Sequence, residues 1–200
     1  MKSSLAQFRI LILFCLVIPR ASSADAINLG LGGINPMPHC IAKVFTVEYE
    51  HTYTPSVSIL GRGSGVNYHY NDGMYKEDGQ LRGLDVGFRN YPGGGMRGFF
   101  WGGSAGYWDG NWTFTQDQNL PGVWQGKSHT NSLRLGIDIG DRIPIRGSDV
   151  SVLPQVNLGK FFSSHSCEAT APASRAGSPC SQTSEVNYYI FFSVALGFSF

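Results

Sequence analysis

Large apolar side chains fall at alternate positions along most of the chain. Glycine, asparagine, aspartate and proline break the alternation about every ten to fifteen residues. The clearest run is Val186, Tyr188, Ile190, Phe192, Val194, Leu196, Phe198 and Phe200, with Asn187, Tyr189, Phe191, Ser193, Ala195, Gly197 and Ser199 between them. Successive side chains of a strand point to opposite faces, so this pattern predicts one wholly apolar face and one mixed face. The same period runs through Leu133–Ile139, Phe99–Tyr107, Leu84–Phe88, Phe45–Tyr49 and Val150–Leu158, the last with Pro154 on its apolar row. Between Val57 and Tyr70 the apolar parity switches from odd to even across Gly61–Gly65, which predicts a bulge there.

Seven such strands lie between Ile41 and Phe200, joined by connections that alternate short and long. Tyr53–Ser56, Pro92–Met96 and Arg142–Gly147 are short, whereas Asn71–Gly79, Gly110–Lys127 and Ser163–Glu185 are longer. Transmembrane barrels of bacterial outer membranes have short periplasmic turns and longer external loops. With the long loops external, the last strand descends to the periplasm and the strand at Ile41 must descend too. An ascending strand is therefore required before it, and Ala26–Ile34 supplies one. The expected fold is all-β: an eight-stranded antiparallel up-and-down transmembrane β-barrel over residues 27–200.

Composition agrees. Glycine is 26 of 200 residues, aromatics make up 13% and charged residues only 14%, a mixture foreign to helical bundles and to disordered chains. The formal charge is +1 without a basic stripe, so nucleic acid is not an expected partner. At the other extreme of the chain, Lys2 and Arg9 precede the apolar run Ile10–Pro19 and the small residues of Ala21–Ala26. That is the layout of a secretory signal peptide over residues 1–26, the run being too short to span a bilayer. Cleavage after Ala26, or after Ala24, satisfies the small-x-small rule. The first cut leaves twelve basic and thirteen acidic side chains, a mature charge of about −1.

With these features the chain resembles the small outer-membrane β-barrels of bacteria, the eight-stranded class that includes the transmembrane part of outer membrane protein A. The resemblance covers the whole mature chain and is carried most specifically by Val194, Leu196, Phe198 and Phe200. In that family such a terminal strand resembles the signal read by the barrel-assembly machinery. Arg89–Phe99 and Trp101–Tyr107 look like a turn and strand common among its members. The resemblance implies a bacterial outer-membrane location, with membrane lipid, lipopolysaccharide and the assembly machinery as partners. The up-down order places Tyr68, Tyr70, Tyr107, Trp108 and Tyr188 in an external aromatic girdle, and Tyr91, Phe99, Phe198 and Phe200 in a periplasmic one.

Chemistry is sparse. No zinc spacing occurs, and His39-Cys40 alone is weak, so neither metal nor cofactor is expected. Export to an oxidising compartment permits disulfides, and Cys167 and Cys180 bracket one loop, which makes their bridge the expected one. A bridge from Cys40 to either is the alternative. His165-Ser166-Cys167-Glu168, with His69, Ser128 and His129 near the same rim, would be the raw material of a lipid-modifying enzyme. Glu48, Asp85, Arg89, Arg134 and Asp138 fall on the non-lipid parity and predict a paired charge network inside the barrel. The reading is a non-enzymatic barrel with external loops for surface interaction or envelope structure. A rim-located enzyme and a narrow channel are its alternatives.

Overall fold

The computed structural model describes residues 25–34, 40–73, 75–116, 124–170 and 183–200. They form one closed ring of eight antiparallel strands: β1 (Asp25–Ile34), β2 (Cys40–Thr54), β3 (Val57–Asn71), β4 (Tyr75–Asn90), β5 (Gly98–Gln116), β6 (Trp124–Pro144), β7 (Val150–Thr170) and β8 (Thr183–Ser199). Each strand pairs with its sequence neighbours, and β1 closes the ring on β8. Followed partner by partner from Leu31, the ladder reaches Ser184 of β8, whereas Leu31 itself pairs with Val194. That stagger of ten residues is the shear that tilts the strands and fixes the width of an eight-stranded barrel.

The ring is apolar on the outside. Leu31, Leu84, Val86, Leu133, Ile137, Phe192 and Val194 are all exposed, and they belong to a belt that runs round the strands. A soluble monomer does not present so large an apolar surface to water; a bilayer is the solvent it fits. Tyr107, Tyr188, Phe99, Phe198 and Phe200 also point outward, as a girdle requires.

Three girdle residues are corrected. Trp108 and Tyr91 are buried, and Tyr68 packs against the interior cluster around Trp108. Alternation tells that two residues share a face, but aromatic rings suit both a girdle and a lumen, so it does not tell which. The bulge expected at Gly61–Gly65 is absent. β3 pairs without interruption from Val57 to Asn71, and the register shift lies in β2 between Thr52 and Thr54. Arg62 and Val66 are both buried, so Val66 and Tyr68 are lumen residues above a charged layer, and the outward face of β3 is glycine at 61, 63 and 65.

The long connections also shrink. β5 runs to Gln116 and β6 starts at Trp124, so much of the expected external loops is strand standing beyond the apolar belt. β1 opens at Asp25, whose amide and carbonyl both hydrogen-bond Phe200 and whose carboxylate accepts from Tyr49 at 2.9 Å. Cleavage after Ala26 would remove this closure, whereas cleavage after Ala24 keeps it. Intact-mass measurement of the exported protein is therefore expected to give Asp25 as its first residue; a chain starting at Ile27 would show that the closure is dispensable.

Candidate functional site

The interior is stacked in three layers. At the end of the short turns, Tyr91, Met96, Phe100 and Ala26 form an apolar base. The turn between β4 and β5 holds Tyr91 there: its amide donates to Ser56 O at 2.7 Å, and Gly95 N donates to Pro55 O at 2.7 Å.

Above the base lies a charged layer. Among the described residues, four arginines (Arg62, Arg89, Arg134, Arg142) and four carboxylates (Glu48, Glu50, Asp85, Asp138) are buried, so the formal charges cancel. Arg89 donates to Glu48 at 2.6 and 3.0 Å, to Glu50 at 2.8 Å and to Gln155 at 2.7 Å, and stacks 4.5 Å from the centre of the Phe100 ring. Arg62 spans the lumen between Glu48 at 2.8 Å and Asp138 at 3.3 Å. Arg142 reaches Glu50 at 2.5 Å and Asn28 at 3.1 Å. Glu50 accepts further from Tyr91 at 2.8 Å and from Ser58. Asn157 Oδ1 accepts from Arg62 at 2.8 Å and from Arg134 at 3.0 Å, and Arg134 pairs with Asp85 at 2.9 Å. The contacts form one connected web across six strands. Charges so far from water persist only when paired in this way.

The third layer, toward the external end, is aromatic. Trp108, Phe161, Tyr189 and Phe191 pack with ring centres 4.6–6.4 Å apart. Trp108 Nε1 donates to Asp85 at 3.0 Å and Arg134 lies 4.9 Å from the Tyr189 ring centre, which joins this layer to the charges. Glycines admit the rings. A Cβ at Gly83 would lie 2.2 Å from the Trp108 indole, and Cβ atoms at Gly136 and Gly159 would lie 2.1 and 2.6 Å from Tyr189 Oη. Large side chains thus fill the space that small ones on the adjacent strands leave.

Glu48, Asp85, Arg89, Arg134 and Asp138 all sit in this web, as do four groups that sequence reasoning leaves out: Glu50, Arg62, Arg142 and Asn28. Parity is the available signal for two of them: Glu50 shares the even row of Glu48 on β2, and Arg142 that of Arg134 and Asp138 on β6. Val194, Leu196, Phe198 and Phe200 form an outward row at the end of the chain.

The rim residues do not converge. His165 Nδ1 is 2.6 Å from Thr130 Oγ1 on the inward side, while the adjacent Ser166 is exposed. His69 binds Asp78 at 2.5 Å, and His129 lies 3.3 Å from Asp109 on the outer face. Ser128 donates to the Ser166 carbonyl at 3.3 Å. No described serine or cysteine in this group is given a histidine base by these contacts. Cys167 is disulfide-bonded. Cys180 and the side chain of Cys40 lie outside the described residues, so the expected Cys167–Cys180 pairing stands as a proposal.

No protein-family model and no curated protein sequence matches the chain. Solved structures share its fold. A major outer membrane protein from Thermus thermophilus superposes with a TM-score of 0.52 at 12% identity, covering 90% of this chain and 100% of that one. The translocator domain of the autotransporter NalP from Neisseria meningitidis gives a TM-score of 0.50 at 10% identity, over 96% of this chain and 67% of that one. At such identities only the fold is shared. A closed eight-stranded ring with an apolar outer belt and a polar interior filled with side chains is a transmembrane barrel, and this one is an integral protein of the bacterial outer membrane.

Proposed function

We propose that this protein is a sealed wall element of the outer membrane, neither enzyme nor channel, whose contacts with other molecules are made by its external face and loops. The observation that supports the reading is the lumen itself: charged groups paired across the barrel, between an aromatic layer above and a second below. Eight strands enclose only enough width for side chains, and here the side chains use it. The rim histidines are scattered, and the hydroxyl that meets His165, that of Thr130 at 2.6 Å, is buried and already accepts from Trp112 Nε1 at 2.9 Å, which speaks against its use as a nucleophile.

Refolded protein in vesicles of phospholipid and lipopolysaccharide, assayed for released fatty acid, is expected to match protein-free vesicles. Turnover that is lost in His165→Ala or His129→Ala would overturn the non-enzymatic reading.

A further inference from the structure

The outer wall carries a cleft of about 920 Å³ at the external ends of the strands, where the apolar belt gives way to polar side chains. On β4 the outward residue next above Leu84 is Arg82, on β2 the one next above Phe45 is Lys43, and on β5 Tyr107 is followed by Asp109. The cleft therefore begins at the lipid–water boundary.

In its lining the cations outnumber the carboxylates, three to two. Lys43, Arg82 and Lys127 line it; among the described residues none of the three is in an ion pair or hydrogen bond, although the register sets Arg82 opposite Asp109 and Lys127 opposite Glu168. The two carboxylates of the lining have other partners nearby: Asp78 binds His69 at 2.5 Å and Lys76 at 3.1 Å, and Asp109 lies 3.3 Å from His129. Three cations without an ion pair, in excess over the carboxylates at the edge of a membrane, favour an anion. Cross-strand pairing sets Lys43, Asn67, Gln80 and Asn111 in one outward row, so amide groups able to bind hydroxyls and phosphate oxygens adjoin the cations. Below the cleft, a Cβ at Gly61 or Gly65 would meet nothing within 4 Å, so the wall continues into the apolar belt as a furrow of bare backbone.

We propose that this cleft binds the phosphorylated sugar headgroup of a glycolipid of the external leaflet, the phosphates lying on Lys43, Arg82 and Lys127 and an acyl chain running down the β3 furrow. This rests on the outer-membrane orientation given above and names the lipid site on that surface. Phosphate carries close to two negative charges and several acceptor oxygens, which guanidinium and ammonium groups match by charge-assisted hydrogen bonds. The free cations and the adjoining apolar belt together select an anionic amphiphile over a soluble anion.

The test uses the full exported chain in nanodiscs, with fluorescent lipopolysaccharide bearing both lipid A phosphates and the same material after phosphatase treatment. Wild type is expected to prefer the phosphorylated form by roughly tenfold or more, the scale of one or two charge-assisted contacts. The triple variant Lys43→Gln, Arg82→Gln, Lys127→Gln is expected to lose that preference, while Arg146→Gln, an exposed cation on the opposite end of the barrel, keeps it. Equal binding of the two lipids by wild type, or an undiminished preference in the triple variant, would overturn the proposal. Displacement of the lipid by low-millimolar inorganic phosphate would overturn its lipid part, leaving a plain anion site. Heat-modifiable migration and membrane fractionation of the same samples report separately on the barrel, so failure of the site and failure of the outer-membrane reading are distinguishable.

Discussion

Replacing Arg89 by Met is expected to lower the unfolding free energy by about 3–5 kcal/mol. The guanidinium is 0% exposed and makes four hydrogen bonds to Glu48, Glu50 and Gln155. Met keeps the volume and the contact with Phe100 but leaves two buried carboxylates without their shared cation. Removing one partner of a buried pair costs more than the pair itself contributes, because the survivor keeps its full desolvation penalty. The double variant Glu48→Gln, Arg89→Met is therefore expected to recover part of the loss. Urea unfolding in lipid vesicles measures both. An Arg89→Met barrel as stable as wild type would show that the web does not hold the lumen together.

Gly83→Ala is expected to cost about 1–3 kcal/mol, although it adds a single methyl group. The new Cβ would sit 2.2 Å from two atoms of the Trp108 indole and 2.6 Å from its Nε1. Trp108 has nowhere to go: Phe161 and Phe191 stand beside it at 5.5 and 6.4 Å, and Asp85 holds its N–H. The ring must give up either that hydrogen bond or its packing. Adding Trp108→Phe, which replaces the indole by a smaller ring without Nε1, is expected to restore part of the stability. Equilibrium unfolding together with the tryptophan emission maximum reads the outcome, and an unchanged spectrum with wild-type stability would place the indole elsewhere.

The architecture is legible because a lipid-facing barrel strand writes its fold at period two. β8 shows it best, with its outward row apolar from Tyr188 to Phe198 and its inward row holding Tyr189, Phe191, Ser193 and Ala195. Period two assigns a face only relative to a chosen register, and β3 shows the limit. Alternation sends its apolar residues Val66 and Tyr68 to lipid, yet they share the inward face with Arg62, and glycines occupy the outward one. A parity switch on paper is a change of layer inside the lumen. Trp108 and Tyr91 escape the girdle for a related reason, since their rings serve the interior as well. The charge web is legible in part from inward parity. Its closure is not, because Glu50 meets Arg142 92 residues further along the chain and Arg62 meets Asp138 after 76, pairings that only barrel closure creates. The cleft on the outer wall leaves no trace in the sequence: Lys43, Arg82 and Lys127 are scattered along it, and cross-strand register alone gathers them.

Planar-bilayer recording of the purified barrel addresses the sealed lumen most directly. With eight buried charges balanced and an aromatic layer at each end, wild type is expected to show no sustained conductance. Steady, long-lived open steps from the unmodified protein would contradict a closed interior and make it a channel.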